Sequence, residues 1–162
     1  MEAKEVCEDI SDVRMIKLLP HGIAEEWPTL KQAIEISLPP LTVPTESESR
    51  MTGVLEALLS GTMELHVFFK LIKGRPFSYG FIITAKIFSI ESAHSNLLVY
   101  ILYGHRKLMA AEEFAKCLEM TKKYARSIDC HGIIAYTKMK SVKDTFTDLG
   151  FNTEYTIMMS EV

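Results

Sequence analysis

The sequence predicts a single α/β domain with a mixed, mostly antiparallel sheet, one central parallel strand pair and helices on both faces. Three stretches predict it. ELHVFFKLIKGRPFSYGFIITAKIFSI reads as two strands around a turn at Lys73-Gly74-Arg75-Pro76, an antiparallel hairpin. Residues 96 to 140 read as a strand (NLLVYILYGH), a long helix (KLMAAEEFAKCLEMTKKYARSIDC) and a strand (GIIAYTKMK). Such a crossover is right-handed and joins parallel strands. SVKDTFTDLGFNTEYTIM closes with a short helix, a glycine stop and a further strand.

Taken in order, residues 1–12 are polar and expected to be a flexible segment ahead of a domain spanning 13–162. VRMIKLLP alternates as a first strand. In HGIAEEWPTLKQAIEISLPP, Trp27, Leu30, Ala33, Ile34 and Leu38 share one helical face, and Pro39-Pro40 forces the stop. LTVPTESESRMTG reads as an exposed loop; whether Leu41 to Arg50 closes over a substrate stays open. MTGVLEALLSG is a second, short helix with Gly61 as its cap. After the hairpin, the almost wholly apolar Asn96–His105 run suits a central strand covered on both faces. Phe114, Cys117, Leu118, Thr121, Tyr124 and Ala125 form the buried stripe of the long helix. The next strand is expected from Gly132 to Lys140. The last helix turns Val142, Phe146 and Leu149 inward, Gly150 supplies a left-handed stop, and NTEYTIMM is the last strand.

Composition excludes several classes. Hydrophobic residues make up 48% and charged residues 24% of the 162, a globular balance. A net charge of -3 gives no footprint for nucleic acid, which is not expected as a partner. No apolar run reaches the ~18 residues of a membrane span. The charged start MEAKEVCEDISD is not a signal peptide, so an intracellular, soluble protein without membrane contact is expected. Cys7, Cys117 and Cys130 are odd in number and lack CxxC spacing, against disulfides or zinc. Cys117 is expected to be a buried, inert thiol. None of the five histidines has a partner at i+4, and no metal is expected. Met109, Met120, Met139, Met158 and Met159 suit core filling or a soft interface. TEYTIMM, if at a sheet edge, suits pairing with a second chain, so a homo-oligomer is open.

The element order over residues 13 to 160, with Phe146 and Leu149-Gly150-Phe151 at its last helix, resembles the GNAT superfamily of N-acetyltransferases. EEWPTLKQAIEISLPP followed by VLEALLSG is similar in pattern to small GNAT-like proteins encoded by tailed bacteriophages. The resemblance implies acetyl-CoA bound where two parallel strands splay, its pyrophosphate on backbone N–H groups at the start of the long helix. The family motif there is Arg or Gln, two residues, Gly, one residue, Gly or Ala. HRKLMAA supplies Arg106 and Ala111 but places Met109 at the first glycine, with Gly104 just ahead. The implied cofactor contacts are Leu102, Gly104, His105, Arg106, Lys107, Met109, Ala110, Ala111 and Phe146. His105, Arg106 and Lys107 oppose the helix dipole at a cost of up to about 1 kcal/mol unless an anion is bound; a solvated basic turn is the plain alternative.

The family's proton donor, a tyrosine four residues before the glycine, falls at Phe146, and its asparagine, seven residues earlier still, at Met139. Neither can play that part. Tyr136 and Tyr103 are the stand-in acids, with sheet packing as the other use for each. Glu64 and Glu91 are the candidate bases, with solvent-facing roles as the alternative. Two functions follow. One is an acyl-CoA-dependent N-acyltransferase, moving acetyl from acetyl-CoA to a small-molecule or protein amine. The other is a non-catalytic GNAT-fold binding or assembly protein, in the extreme a phage virion component. The expected location is cytoplasmic, in a host cell if phage-encoded, or the virion.

Overall fold

The computed structural model describes residues 13–38, 47–104, 111–137 and 139–153. Their elements run β1 (Val13–Leu18), α1 (Pro20–Ser37), α2 (Ser47–Ser60), β2 (Glu64–Ile72), β3 (Arg75–Ser89), β4 (His94–Gly104), α3 (Ala111–Ser127), β5 (Gly132–Ala135) and α4 (Lys140–Asp148). The sheet order is β1-β2-β3-β4-β5. The first three pairings are antiparallel and β4–β5 is parallel, as the sequence predicts. The expected last strand, the segment 1–12, Pro39-Pro40 and residues 41–46 of the expected loop lie outside the described residues.

Alternation along the strands builds two cores. On one face Ile23 and Ile34 of α1 and Met51 and Leu58 of α2 pack onto Leu65, Phe81, Ile83 and Ile101. Full burial of each such side chain contributes about 1.5–3 kcal/mol before the entropy of ordering it. On the other face Cys117 of α3 meets Phe68, Ile82 and Val99. Phe146 of α4 joins that layer edge-on to Phe114, ring centroids 5.5 Å apart. Helices therefore cover both faces. Cys117 is buried, as its place on the stripe predicts.

Several boundaries differ from expectation, three of them by enough to matter. The β2–β3 turn is only Lys73-Gly74, with φ of 49° and 74°. Two consecutive positive φ values give a turn whose twist matches the strands. Arg75 and Pro76 belong to β3, opposite Ile72 and Leu71. Helix α2 begins at Ser47, so Ser47 to Arg50 are helix rather than loop. Glu48 in its first turn complements the helix N-terminus. The polar composition of that turn hides it from periodicity. Strand β5 stops at Ala135 instead of reaching Lys140. Tyr136 N–H still donates to the Val99 carbonyl at 3.4 Å. The chain then leaves the sheet, and Met139 is already the N-cap of α4.

Both helices of the second face end alike. After α4, Phe151 N–H donates to the Phe146 carbonyl (2.9 Å) and Gly150 N–H to that of Thr147 (3.0 Å). After α3, Cys130 N–H donates to Ala125 (2.9 Å) and Asp129 N–H to Arg126 (3.1 Å). Each is the paired Schellman closure, with its left-handed residue, Gly150 at φ 90° and Asp129 at φ 59°, in the turn. The apolar contact that accompanies such a closure is Phe146 against Phe151, centroids 4.6 Å apart. That contact is the physical content of the Gly-Phe ending.

Candidate active site

Strands β4 and β5 pair only from Asn96–Gly132 to Val99–Ala135. β4 then continues to Gly104. Among the described residues no strand pairs with that side of β4 beyond Val99, so the two strands part and a gap opens. The ladder to β3 slips at the same height: Ile83 faces Ile101 while Thr84 faces Val99. Tyr100 is the extra residue of this bulge. Tyr100 and Ile101, though adjacent, both point into the α1–α2 core, while Val99 and Leu102 point to the α3 side. A bulge bends its strand and takes main-chain groups out of the ladder. Nothing in the sequence VYILY announces it.

Two candidate residues flank this gap. Tyr136 follows β5 directly and is half-buried where the strands part. Tyr103, near the end of β4, stacks on Phe81 with centroids 5.2 Å apart. Gly104 closes β4 opposite Gly80, and Ala111 is the first residue of α3. His105, Arg106, Lys107, Met109 and Ala110 lie outside the described residues. Leu102 packs in the core on the α3 side. Phe146 is 6% exposed, held edge-on between Phe114 and Phe151. Glu112 and Glu113 occupy the first turn of α3, and Lys70 of β2 pairs with Glu113 at 2.7 Å. Glu91 is exposed in the β3–β4 turn.

Glu64 is placed elsewhere. Its register partner is Thr84, whose own partner is Val99. It therefore stands level with the mouth of the gap but two strands away, roughly 10 Å. Its carboxylate faces α3, accepting from Lys17 Nζ at 2.5 Å and from the Tyr124 hydroxyl. Burial pushes its pKa up, but those hydrogen bonds outweigh burial and hold it below the usual carboxylate value. A carboxylate so committed is a poor base. Burial, then the hydrogen bond to Glu64, raises the Tyr124 phenol well above its ordinary value. His66 lies under the same ring, centroids 4.4 Å apart, with Nε2 3.8 Å from Glu64 Oε2. Sequence periodicity finds Tyr124 as a core residue but not this polar cluster, which forms between residues 60 positions apart. Among the described residues, no three His, Cys, Asp or Glu side chains gather to hold a metal ion. No helix among them is long and apolar enough to cross a membrane.

No protein-family profile matches the chain, and no curated protein matches it in sequence. Solved structures do match. A putative acetyl transferase from Pyrococcus furiosus superposes with TM-score 0.66 at 16% identity, over 93% of this chain and all of that one. A GNAT family acetyltransferase from Staphylococcus aureus gives 0.64 at 10% identity, over 93% of this chain and 98% of that one. An aminoglycoside acetyltransferase from an uncultured soil metagenomic sample gives 0.64 at 15% identity, over 94% and 99%. At these identities the likeness is one of fold: the chain has the mixed α/β fold of GNAT acetyltransferases.

Proposed function

We propose that the β4–β5 gap takes the thioester arm of acetyl-CoA and that the protein transfers the acetyl group to an amine. One observation carries this reading: β4 runs five residues past its last pairing with β5 and bulges at Tyr100 where the strands part. That main-chain edge, unpaired among the described residues, suits an extended arm bearing amides, which supplies donors and acceptors as an added strand would. Ala111 keeps the start of α3 free of a bulky side chain, and Arg106 adds charge for phosphate.

In the transfer the amine nitrogen attacks the thioester carbonyl carbon. The C–N bond forms, the C–S bond breaks, the amine gives up a proton and the leaving thiolate takes one. Tyr136, at the mouth of the gap, is the donor to the thiolate. Tyr103, stacked on Phe81, serves the wall. No described carboxylate is assigned as base. Alignment of amine and thioester carries most of the rate, as proximity does for acyl transfer. The acceptor is a small-molecule or protein amine.

A second reading is a GNAT-fold binding or assembly protein without transfer, in a phage particle if the phage-like sequence pattern holds. Glu112 and Glu113 favour it, because they already complement the N-terminus of α3 and oppose phosphate there. Calorimetry with acetyl-CoA separates the readings. Micromolar binding lost in Arg106→Glu, with CoA thiol released on adding a polyamine or peptide amine, supports the transferase. Binding without release supports the second reading. No binding at millimolar acetyl-CoA overturns the first.

A further inference from the structure

We propose that a cavity at the far end of α3, separate from the gap, binds a small anionic ligand: a phosphate or carboxylate joined to a short apolar body. The cavity has a volume of about 360 Å³, within the range of small-molecule sites. It lies among the last turns of α3, the start of β5 and the Gly-Phe turn after α4. Along α3 this is roughly 20 Å from Ala111, so the ligand here does not share the seat proposed for acetyl-CoA.

Its lining sets the ligand class. Lys122, Arg126 and His131 line it, and among the described residues no Asp or Glu does. Lys122 and Arg126 are one helical turn apart, and like charges at that spacing repel. Glu119 pairs with Lys122 at 2.9 Å but is largely exposed. Among the described residues the Arg126 side chain makes no ion pair or hydrogen bond, though its charge helps to lower the Glu119 pKa. Nor is Arg126 needed to cap its own helix, since backbone N–H groups of 128–130 already bond the carbonyls of Tyr124, Ala125 and Arg126. Two cations thus line a concave space whose wall, among the described residues, holds no carboxylate. Ile133, Leu149 and Phe151 supply the apolar side. At Gly150 a Cβ would meet nothing within 4 Å, so that stretch of main chain is bare. The N–H groups of Gly150 and Phe151 are spent on the helix closure. Recognition therefore rests on the cationic side chains.

The test uses phenyl phosphate as probe on the full chain, followed by amide shifts in NMR spectra. Saturable shifts at residues 122–133 and 149–152 are expected, weakened roughly tenfold or more in Lys122→Glu/Arg126→Glu. Inorganic phosphate should shift the same amides more weakly, and phenol hardly at all. Thermal melts of the variant confirm that it folds; if it does not, Arg126→Gln alone, with a smaller loss, serves instead. The proposal is overturned by no saturable binding at 10 mM probe, by binding that survives charge reversal, or by shifts centred on Gly104 and Ala111.

Discussion

His66 is 2% exposed, and among the described residues neither of its ring nitrogens reaches a hydrogen-bond partner. Burial pushes its pKa down from 6.5 to about 4, against the pull of Glu64. Between those values the unfolded chain binds a proton that the folded chain refuses. Stability therefore rises with pH across about 4 to 6.5 and is flat above. At ~1.4 kcal/mol per unit, His66 makes the fold weaker by on the order of 3 kcal/mol near pH 4 than at pH 7. The low pKa of Glu64 adds to acid lability below its ordinary value of 4.5, as its ion pair with Lys17 is lost. Urea titrations at pH 4.5, 5.5 and 7 should show the slope, and His66→Leu should flatten it above pH 5. An equal slope in that variant would assign the effect elsewhere. At the gap, Tyr136→Phe is expected to lower kcat by about 10- to 100-fold with little change in acetyl-CoA affinity. Tyr103→Phe should lower it far less, and steady-state assays of both variants decide between them. The sequence shows that Phe146 cannot donate a proton. It does not show that Glu64 is tied to Lys17 and Tyr124, because that depends on which face of β2 meets α3.

Secondary-structure elements were legible where chemistry marks their ends. Gly150 followed by Phe151 announces the closure of α4, because a left-handed residue and an apolar clasp are what the closure needs. The same closure on α3 uses Asp129, which costs strain and so leaves no glycine to read. The strand Gly132–Ala135 looks longer in sequence because the apolar and β-favouring residues run on past Ala135, where the strand ends, and Met139, the N-cap of α4, is itself extended. The gap that this creates, like the bulge at Tyr100, is a property of register between strands and not of either strand alone. The two closures predict opposite substitutions. Asp129→Gly relieves the left-handed residue and should raise stability by about 0.5–1 kcal/mol, less the entropy that glycine returns to the unfolded chain. Gly150→Ala, at φ 90°, should lower it by about 1 kcal/mol or more. Thermal or urea unfolding measures both. An Asp129→Gly variant below wild type would mean that its carboxylate contributes more than its backbone costs.

At the scale of the molecule, the sheet is not equally tied throughout. β2, β3 and β4 pair along almost their whole lengths and are covered on both faces. Among the described residues β5 joins through the four pairs from Asn96–Gly132 to Val99–Ala135, and Ile134 is 39% exposed. At Gly132 a Cβ would stand 2.7 Å from Asn96 Oδ1, so a larger residue there would make the Asn96 side chain shift. The antiparallel block should therefore open only with global unfolding, while β5 and α4 open together at lower free energy. Native-state hydrogen exchange would show amides 81–84 and 97–101 exchanging at the global limit and amides 133–136 and 143–149 sooner. A ligand lying between β4 and β5 must raise the cost of that opening by its own binding free energy, ~2.7 kcal/mol at a hundred times its Kd. Saturating acetyl-CoA should thus slow exchange at 133–136 about a hundredfold and leave 81–84 unchanged in the same samples, wherever those amides exchange through subglobal opening. Uniform slowing across the sheet would mean that β5 opens only with the whole, and no slowing at 133–136 would place the donor outside the gap.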